Sequence, residues 1–126
     1  MTIAQQLKIK EFPFLIKDSN GNKIYWESST GYWVKSEYDS NGNKIYWESS
    51  NGYWVKSEYD SEGKEIYYED SDGFWVKYEY DSEGKEIYWE NSYGTIVDNR
   101  PKTEIQKAIE LLTKEGLLVD GKILKN

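Results

Sequence analysis

The sequence predicts a mainly β protein: an antiparallel meander of about nine strands, made from four 21-residue hairpin repeats and followed by a C-terminal helix and a short β-hairpin. Three observations predict it. A 21-residue segment recurs four times, and glycine recurs alternately 10 and 11 residues apart within turn-forming segments such as DSNG and STG. The runs between these glycines are rich in Tyr, Trp, Ile and Val, which suit strands and leave no room for a helical period.

The four copies begin at Asp18, Asp39, Asp60 and Asp81. The second copy differs from the first at one position, and the last copy decays after its second glycine, as a capping repeat does. We therefore expect a single domain of residues 1–126 in three parts. Residues 1–17 form an N-terminal strand cap, residues 18–101 the repeats, and residues 102–126 a helix-plus-hairpin cap.

The period of 21 constrains the two turns of each copy. A three-residue loop at Ser29–Gly31 would pair Ser28 with Tyr32. A four-residue loop at Asp39–Gly42 would pair Tyr38 with Asn43, and the two loops together would advance the chain by 21 residues. Three-residue loops at both turns would advance it by 22, and every side chain would change face in the next copy.

This register sorts the side chains onto two faces. The first, called here the valine face, is the predicted core, and the second, called the glutamate face, is the predicted solvated face. The valine face carries Ile24, Trp26, Tyr32, Val34, Ser36, Tyr38 and their copies. The glutamate face carries Lys23, Tyr25, Glu27, Trp33, Lys35, Glu37 and their copies. On it we expect cross-strand rows of Lys23, Glu37 and Lys44, of Tyr25, Lys35 and Tyr46, and of Glu27, Trp33 and Glu48.

The ends of the chain lack the repeat. A strand is predicted at Phe12–Lys17 and a helix at Thr103–Glu115, where Thr103 and Gln106 make a capping box. Apolar residues three and four apart line one helix face, and the helix is expected to cap one end of the sheet. Gly116 is a predicted C-cap. Asp120-Gly121 is a predicted hairpin turn; a winged-helix-like DNA reader with this turn as its wing is the alternative for this segment.

The predicted helix is too short to cover the valine face. Nine strands span roughly 38 Å at the usual spacing, whereas a helix from Thr103 to Glu115 is about 20 Å long. The rest of the face must curl, meet a partner or pair with another copy, because monomers rarely expose so large an apolar patch. A homodimer through this face is therefore predicted.

Composition excludes several kinds of chemistry. The 126 residues contain no cysteine and no histidine, which removes thiolate nucleophiles, zinc sites of those ligands and the usual general base. The net charge of -7 argues against direct binding to nucleic acid or to an anionic membrane. Residues 18–101 hold 18 acidic and eight basic side chains, so the repeats carry the acid surplus. We expect no enzyme activity, no cofactor and, because no export signal is recognisable, a cytoplasmic location.

The spacing G-x6-Y-D-x2-G at a period of 21 resembles the YD repeat of bacterial Rhs-type proteins. It occurs at Gly31, Tyr38, Asp39 and Gly42, and again one and two periods later. The resemblance covers about two-thirds of the chain and implies extended β-hairpin spirals that serve as surface or toxin shells. The segment Tyr67–Trp75 is similar, more weakly, to choline-binding cell-wall repeats.

Three motifs have competing interpretations. Asp18–Asn22 is either a calcium loop or a turn; the turn is favoured, because the loop lacks the twelve-residue spacing and the terminal Glu. The acidic row Glu27, Glu48, Glu69 and Glu90 is more typical of a scaffold than of a glycosidase pair, because it repeats. The aromatic columns are either cross-strand packing or stacking platforms for sugars and bases.

The leading functional hypothesis is a non-enzymatic protein-binding module that uses an acidic, aromatic-rich sheet. A concrete form is a phage or mobile-element inhibitor, similar in charge and size to small anti-CRISPR proteins, that occupies a basic nucleic-acid-binding surface of a host defence protein; it would act in the host-cell cytoplasm. The alternatives are a carbohydrate-binding repeat and a fragment of a YD-repeat shell. The candidate partner-binding residues are Trp33, Trp54, Trp75, Tyr25, Tyr46, Tyr67, Glu27, Glu48, Glu69, Glu37, Glu58 and Glu79.

Overall fold

The structure, a computed structural model, describes residues 1–116, 118–119 and 122–123. Nine strands form one antiparallel sheet in which every strand lies beside its neighbours in sequence, so the predicted meander is confirmed. The strands are β1 (Phe14–Lys17), β2 (Lys23–Glu27), β3 (Trp33–Tyr38), β4 (Lys44–Ser49), β5 (Trp54–Tyr59), β6 (Glu65–Asp70), β7 (Trp75–Tyr80), β8 (Glu86–Asn91) and β9 (Ile96–Asp98).

Both turns of each copy are of the same three-residue kind. In the first, the N–H of Ser28 donates to the carbonyl of Tyr32 at 2.8 Å, as predicted. In the second, the N–H of Asp39 donates to the carbonyl of Asn43 at 2.9 Å. In each, the glycine has positive φ, +91° at Gly31 and +84° at Gly42, a conformation that favours glycine. The predicted four-residue loop and its Tyr38–Asn43 pair are therefore wrong, and Tyr38 pairs with Lys44.

A β-bulge in the strand, and not a longer loop, supplies the one additional residue that keeps successive copies on the same face. Glu37 pairs with Tyr46 and Tyr38 pairs with Lys44, which leaves Ile45 as an extra residue on β4. The same shift recurs in the other copies and skips Ile24, Ile66 and Ile87. Two three-residue turns alone would move each copy to the opposite face, and the bulge restores the face by adding one residue to one strand.

The bulge changes which side chains share a face. Lys44 lies beside Tyr38 on the valine face, with its ammonium 5.8 Å from the centre of the Tyr38 ring. The predicted row of Lys23, Glu37 and Lys44 on the glutamate face is therefore wrong. Lys23 moves to the valine face in the same way, because it pairs with Lys17 beyond the bulge at Ile24. The assignments of the residues after each bulge follow the observed pairs, such as Trp26 with Val34 and Tyr25 with Lys35.

Among the described residues no further helix or sheet packs on the valine face, so it is not the two-layer core that the pattern predicts. It is still the more buried face, because Val55, Val76, Ser36 and Ser57 are all buried on it. The aromatic rings cover one another instead. Their centroids are 6.1 Å apart in Trp26–Tyr32 and in Tyr68–Phe74, and 5.4 Å apart in Trp47–Tyr53. On both faces together, all six Trp side chains are half-buried, which weakens the coverage argument for a homodimer; the homodimer stays a prediction.

The N-terminal segment forms a short helix, α1 (Ile3–Gln6), that the sequence analysis missed. Thr2 and Gln5 make a capping box at its start, and Ala4 is fully buried. The predicted strand that follows is confirmed but begins at Phe14 instead of Phe12.

The C-terminal helix α2 (Glu104–Lys114) begins with the predicted capping box of Thr103 and Gln106, and Gly116 follows its end with φ of +76°. Every residue of α2 is exposed, so it is not a cap on the sheet. The predicted cap is wrong because α2 leaves its apolar positions open, with Ile105 73% exposed.

The predicted C-terminal hairpin is present as β10 (Leu118–Val119) paired with β11 (Lys122–Ile123). Its turn, Asp120-Gly121, lies outside the described residues. None of the helices in the described part of the chain has the length and apolar character that a membrane crossing requires.

Because each strand contacts only its sequence neighbours, one whole copy can be removed without disturbing the others. Deletion of residues 39–59 joins Tyr38 to Asp60 and restores the normal junction between copies. We expect this variant to keep β-sheet circular dichroism and dispersed indole NMR signals, with a lower midpoint of thermal unfolding.

Deletion of residues 39–58 is the matched control, because it leaves one additional Tyr at the junction. This extra residue places all later side chains on the wrong face, so we expect loss of the dispersed indole signals. Similar spectra and midpoints for the two deletions would contradict the bulge-dependent register.

Candidate functional site

The glutamate face brings all twelve sequence-predicted site residues to one side of the sheet, arranged in diagonal rows. Because the bulge shifts alternate strand pairs, the central row reads Glu, Tyr, Lys, Glu, Trp across five strands: Glu37, Tyr46, Lys56, Glu69 and Trp75. The row before it has Ile16 in the first place, and the row after it has Ile96 in the last. The predicted row of Tyr25, Lys35 and Tyr46 is wrong at its third member, because Lys35 lies opposite Glu48. In the predicted row of Glu27, Trp33 and Glu48, the pair of Glu27 with Trp33 is confirmed. Glu48 does not continue that row, because it lies opposite Lys35.

The diagonal register places each lysine of these rows between a tyrosine and a glutamate, so opposite charges face each other across strands. Lys77 Nζ lies 3.8 Å from Glu90 Oε1. Lysine ammonium groups also lie over tryptophan rings on the same strand, at 4.9 Å for Lys35 and Trp33 and 5.1 Å for Lys77 and Trp75. Opposite-charge cross-strand pairs stabilise a sheet by about 0.2–1 kcal/mol each, so the face is stabilised electrostatically along its rows.

In the first copy, α1 covers this face. The carboxylate of Glu27 accepts hydrogen bonds from Thr2 Oγ1 at 2.7 Å, from the backbone N–H of Ala4 at 3.1 Å and from the hydroxyl of Tyr25 at 2.8 Å. Glu27 is 1% exposed and Tyr25 is 4% exposed. These two predicted partner-binding residues are therefore occupied by the chain's own N-terminus, and ten remain accessible.

The contacts with α1 shift the titration of both groups. Burial raises the pKa of Glu27, but the hydrogen bonds from Thr2, Tyr25 and Ala4 outweigh it, and the net pKa is lowered. Burial, followed by the bond to the Glu27 carboxylate, raises the pKa of Tyr25 to about 12. Near neutral pH the site therefore holds a carboxylate that accepts from a neutral phenol.

In the second copy, the equivalent site is open. The hydroxyl of Tyr46 donates to Glu48 Oε2 at 3.1 Å, and the Tyr46 and Trp54 rings stack with centroids 6.4 Å apart and planes at 27°. The Tyr25–Trp33 pair of the first copy has almost the same geometry, 6.2 Å and 27°. The second copy thus repeats the chemistry of the first without a segment seated on it.

The third and fourth copies, together with Glu58 from the end of the second, line an acidic concavity of about 940 Å³. Seven acidic side chains line it, among them Glu58, Glu79 and Glu83, against the three basic ones Lys64, Lys77 and Arg100. Burial raises the pKa of the Tyr67 phenol in its wall, and the charges of Glu69 and Glu58 raise it further. The concavity therefore presents a negative potential beside aromatic rings.

Arg100 closes the far end of the glutamate face. Its guanidinium lies 4.2 Å from the centre of the Tyr88 ring and bonds to Asp98 at 2.8 Å and to Glu79 at 3.2 Å. The bonds from Arg100 lower the pKa of Asp98 to about 2. Sequence reasoning missed this residue because it lies in the decayed part of the last copy, where the repeat pattern gives no position for it.

The Asp-Ser-Asn-Gly segments are turns, as the favoured interpretation predicts. Asp39 Oδ1 accepts from the backbone N–H groups of Asn41 and Asn43, each at 2.9 Å. These backbone bonds, that of Asn43 first, lower the pKa of Asp39. In the part of the chain that the structure describes, no group of acidic side chains is arranged to hold a metal ion.

No protein-family model matches the chain, and no curated protein matches it at a significant level.

The buried carboxylate of Glu27 gives a pH-dependent prediction. We expect Glu27→Gln to lower the free energy of unfolding more than Glu48→Gln does, because Gln turns an amide N–H₂ toward the donors of Thr2 and Ala4. Since the folded-state pKa of Glu27 lies below the unfolded value of about 4.3, its contribution is present above that value and is lost as the pH falls through the folded pKa.

Urea unfolding followed by Trp fluorescence near pH 7 and at about pH 3 measures this difference. The gap between wild type and Glu27→Gln should narrow at the lower pH, while Glu48→Gln stays near wild type. Equal effects of the two substitutions at neutral pH would contradict the seating of α1 on Glu27.

Proposed function

We propose that this chain is a non-enzymatic protein-binding module whose glutamate face engages a basic surface of its partner. The observation that carries the proposal is the acidic concavity of the third and fourth copies, with seven acids against three bases around half-buried rings. Aromatic anchors beside an excess of acidic side chains fit the anatomy of binding hot spots. Opposite potentials would steer a basic partner to this face.

The distribution of charge along the chain supports the same face. The surplus of ten acidic side chains over basic ones in residues 18–101 exceeds the net charge of the whole chain, -7, because both ends are basic. A single-layer sheet displays this charge on a long surface. Such a surface can cover an extended basic groove of the kind that holds nucleic acid.

In its most specific form, the proposal makes this chain an inhibitor from a phage or mobile element that occupies a nucleic-acid-binding surface of a host defence protein, as small anti-CRISPR proteins do. Its support is the size and acidity of the chain and the shape of its acidic face. A cytoplasmic site of action belongs to the same proposal.

Stacking of sugars on Trp33, Trp54 and Trp75 is the carbohydrate-binding alternative. The ring environment weighs against it, because a lysine ammonium lies over each of these rings at 4.9–5.3 Å. Tyr25 and Tyr46 also stack on the first two rings. The YD-repeat shell alternative rests on the resemblance of the sequence motif.

The functional proposal is tested by competition with DNA. Purified guide-loaded CRISPR nucleases are mixed with a fluorescent target duplex, and the chain is titrated while polarisation is read. We expect the chain to release the duplex from at least one nuclease. Its apparent affinity should fall on the order of tenfold between low and physiological salt, because the contact is between opposite charges.

Two triple variants separate this face from overall charge. Glu58→Gln, Glu79→Gln and Glu83→Gln neutralise the concavity, whereas Glu11→Gln, Glu104→Gln and Glu115→Gln neutralise exposed acids at the ends of the chain. Only the first set should weaken competition. Equal weakening by both sets, or competition that salt does not affect, would contradict the proposed binding face.

A further inference from the structure

We infer that the second-copy site, formed by Tyr46, Glu48 and Trp54, binds the N-terminal end of a helix in the partner protein, one that begins with Thr or Ser and has Ala two positions later. The inference deepens the proposed function, because it rests on the glutamate face being a protein-binding surface. The element of the partner that binds to this face would be the start of a helix.

The first copy shows the recognition in an occupied state. Thr2 is the N-cap of α1, and its hydroxyl accepts from the N–H of Gln5 at 3.2 Å while donating to Glu27. The N–H of Ala4 is one of the helix-start donors that the helix itself cannot satisfy, and it donates to the same carboxylate. Glu27 thus binds a helix N-terminus through one hydroxyl and one backbone amide.

The second copy has the same receptor groups. Residues 39–59 differ from residues 18–38 only by Asn51 in place of Thr30, in the exposed turn. Both copies keep the tyrosine-to-glutamate hydrogen bond and the stacked Tyr–Trp pair at nearly equal distances and equal angles. Glu48 therefore stands where Glu27 stands in the occupied site.

The Glu48 carboxylate can accept more hydrogen bonds than it does in the structure, whereas the Glu27 carboxylate already accepts several. Among the described residues, Glu48 accepts a hydrogen bond only from Tyr46, whereas Glu27 accepts three. A carboxylate with free lone pairs complements the partial positive charge of a helix N-terminus. The small residue is inferred from Ala4, which is 0% exposed in the occupied site, so a longer side chain would have to be buried there too.

The two sites differ in the residue that the preceding strand places opposite the glutamate. Phe14 lies opposite Glu27, whereas Lys35 lies opposite Glu48. The second site is therefore more polar on this side, and the partner's residue there should be polar or acidic instead of apolar.

The remaining copies do not offer the same site. In the fourth, Ile96 takes the position of the tryptophan, and Arg100 lies over Tyr88. In the third, the stacked Tyr–Trp pair and the tyrosine-to-glutamate bond are not among the contacts of the described residues. The second copy is thus the open site that most resembles the occupied one.

The test uses the full chain and a peptide of residues 1–10, amidated at its C-terminus, as the probe. The chain is labelled with ¹⁵N, and the peptide is added to millimolar concentration. We expect saturable shifts of the Trp54 indole and Glu48 amide signals. Glu48→Gln should weaken binding about tenfold, as loss of hydrogen bonds to a charged acceptor does, while the control Glu104→Gln, at an exposed position of α2, should leave it unchanged.

Variants of the peptide test which of its groups the second-copy site recognises. Thr2→Val removes the hydroxyl donor and Ala4→Leu overfills the site, and each should reduce the shifts at Trp54. Shifts that are absent, that survive all these substitutions, or that appear only at Trp33 through exchange with the chain's own α1 would overturn the inference.

The outcome separates this inference from the proposed function. If Trp54 does not respond but the concavity variants still weaken competition with DNA, the helix-end inference alone fails. If the peptide binds as expected but neutralising the concavity changes nothing, the site stands and the basic-partner proposal fails.

Discussion

The structure depends on a parity constraint. Side chains of a strand alternate between two faces, so identical copies can share faces only if the pairing advances by an odd number of residues per copy. Two identical three-residue turns do not satisfy this constraint, and the extra residue at Ile45 and its equivalents does. The glycine positions, the diagonal rows and the shared face of the candidate site all follow from this one bulge per copy.

The same bulge explains how a sheet without a second layer is stabilised. The shift of alternate strand pairs sets Lys35 opposite Glu48. In the unshifted strand pairs, rings such as Trp26 and Tyr32 lie about 6 Å apart. Burial is thus distributed over both faces through ring-to-ring and charge-to-charge contacts. The functional consequence is that acids and aromatic rings remain at the surface, where the second copy is open and the first is covered by α1.

Local chemistry made much of this predictable. The strand number, the glycine turns and the common face of Glu48 and Trp54 follow from period-two alternation and turn composition. The bulge was not predictable, because Asp39–Asn43 fits a three- or a four-residue loop equally well and only the hydrogen bonds decide. The docking of α1 on the sheet was not predicted. Thr2 and Gln5 carry the same capping signature as Thr103 and Gln106, but the docking depends on the three-dimensional position of Glu27. The exposure of α2 likewise depends on tertiary packing that its amphipathic pattern does not specify.

The most direct test is the pairing of β3 with β4 in solution. Nuclear Overhauser effects between backbone protons identify the residue opposite Lys35, and specific isotope labelling separates the near-identical copies. We expect contacts from Lys35 to Glu48 and from Glu37 to Tyr46, with Ile45 left between two paired neighbours. Contacts from Lys35 to Trp47 would mean a three-residue turn without the bulge, and contacts from Lys35 to Tyr46 would mean a four-residue loop. Either result would contradict both the diagonal rows and the site built on Glu48.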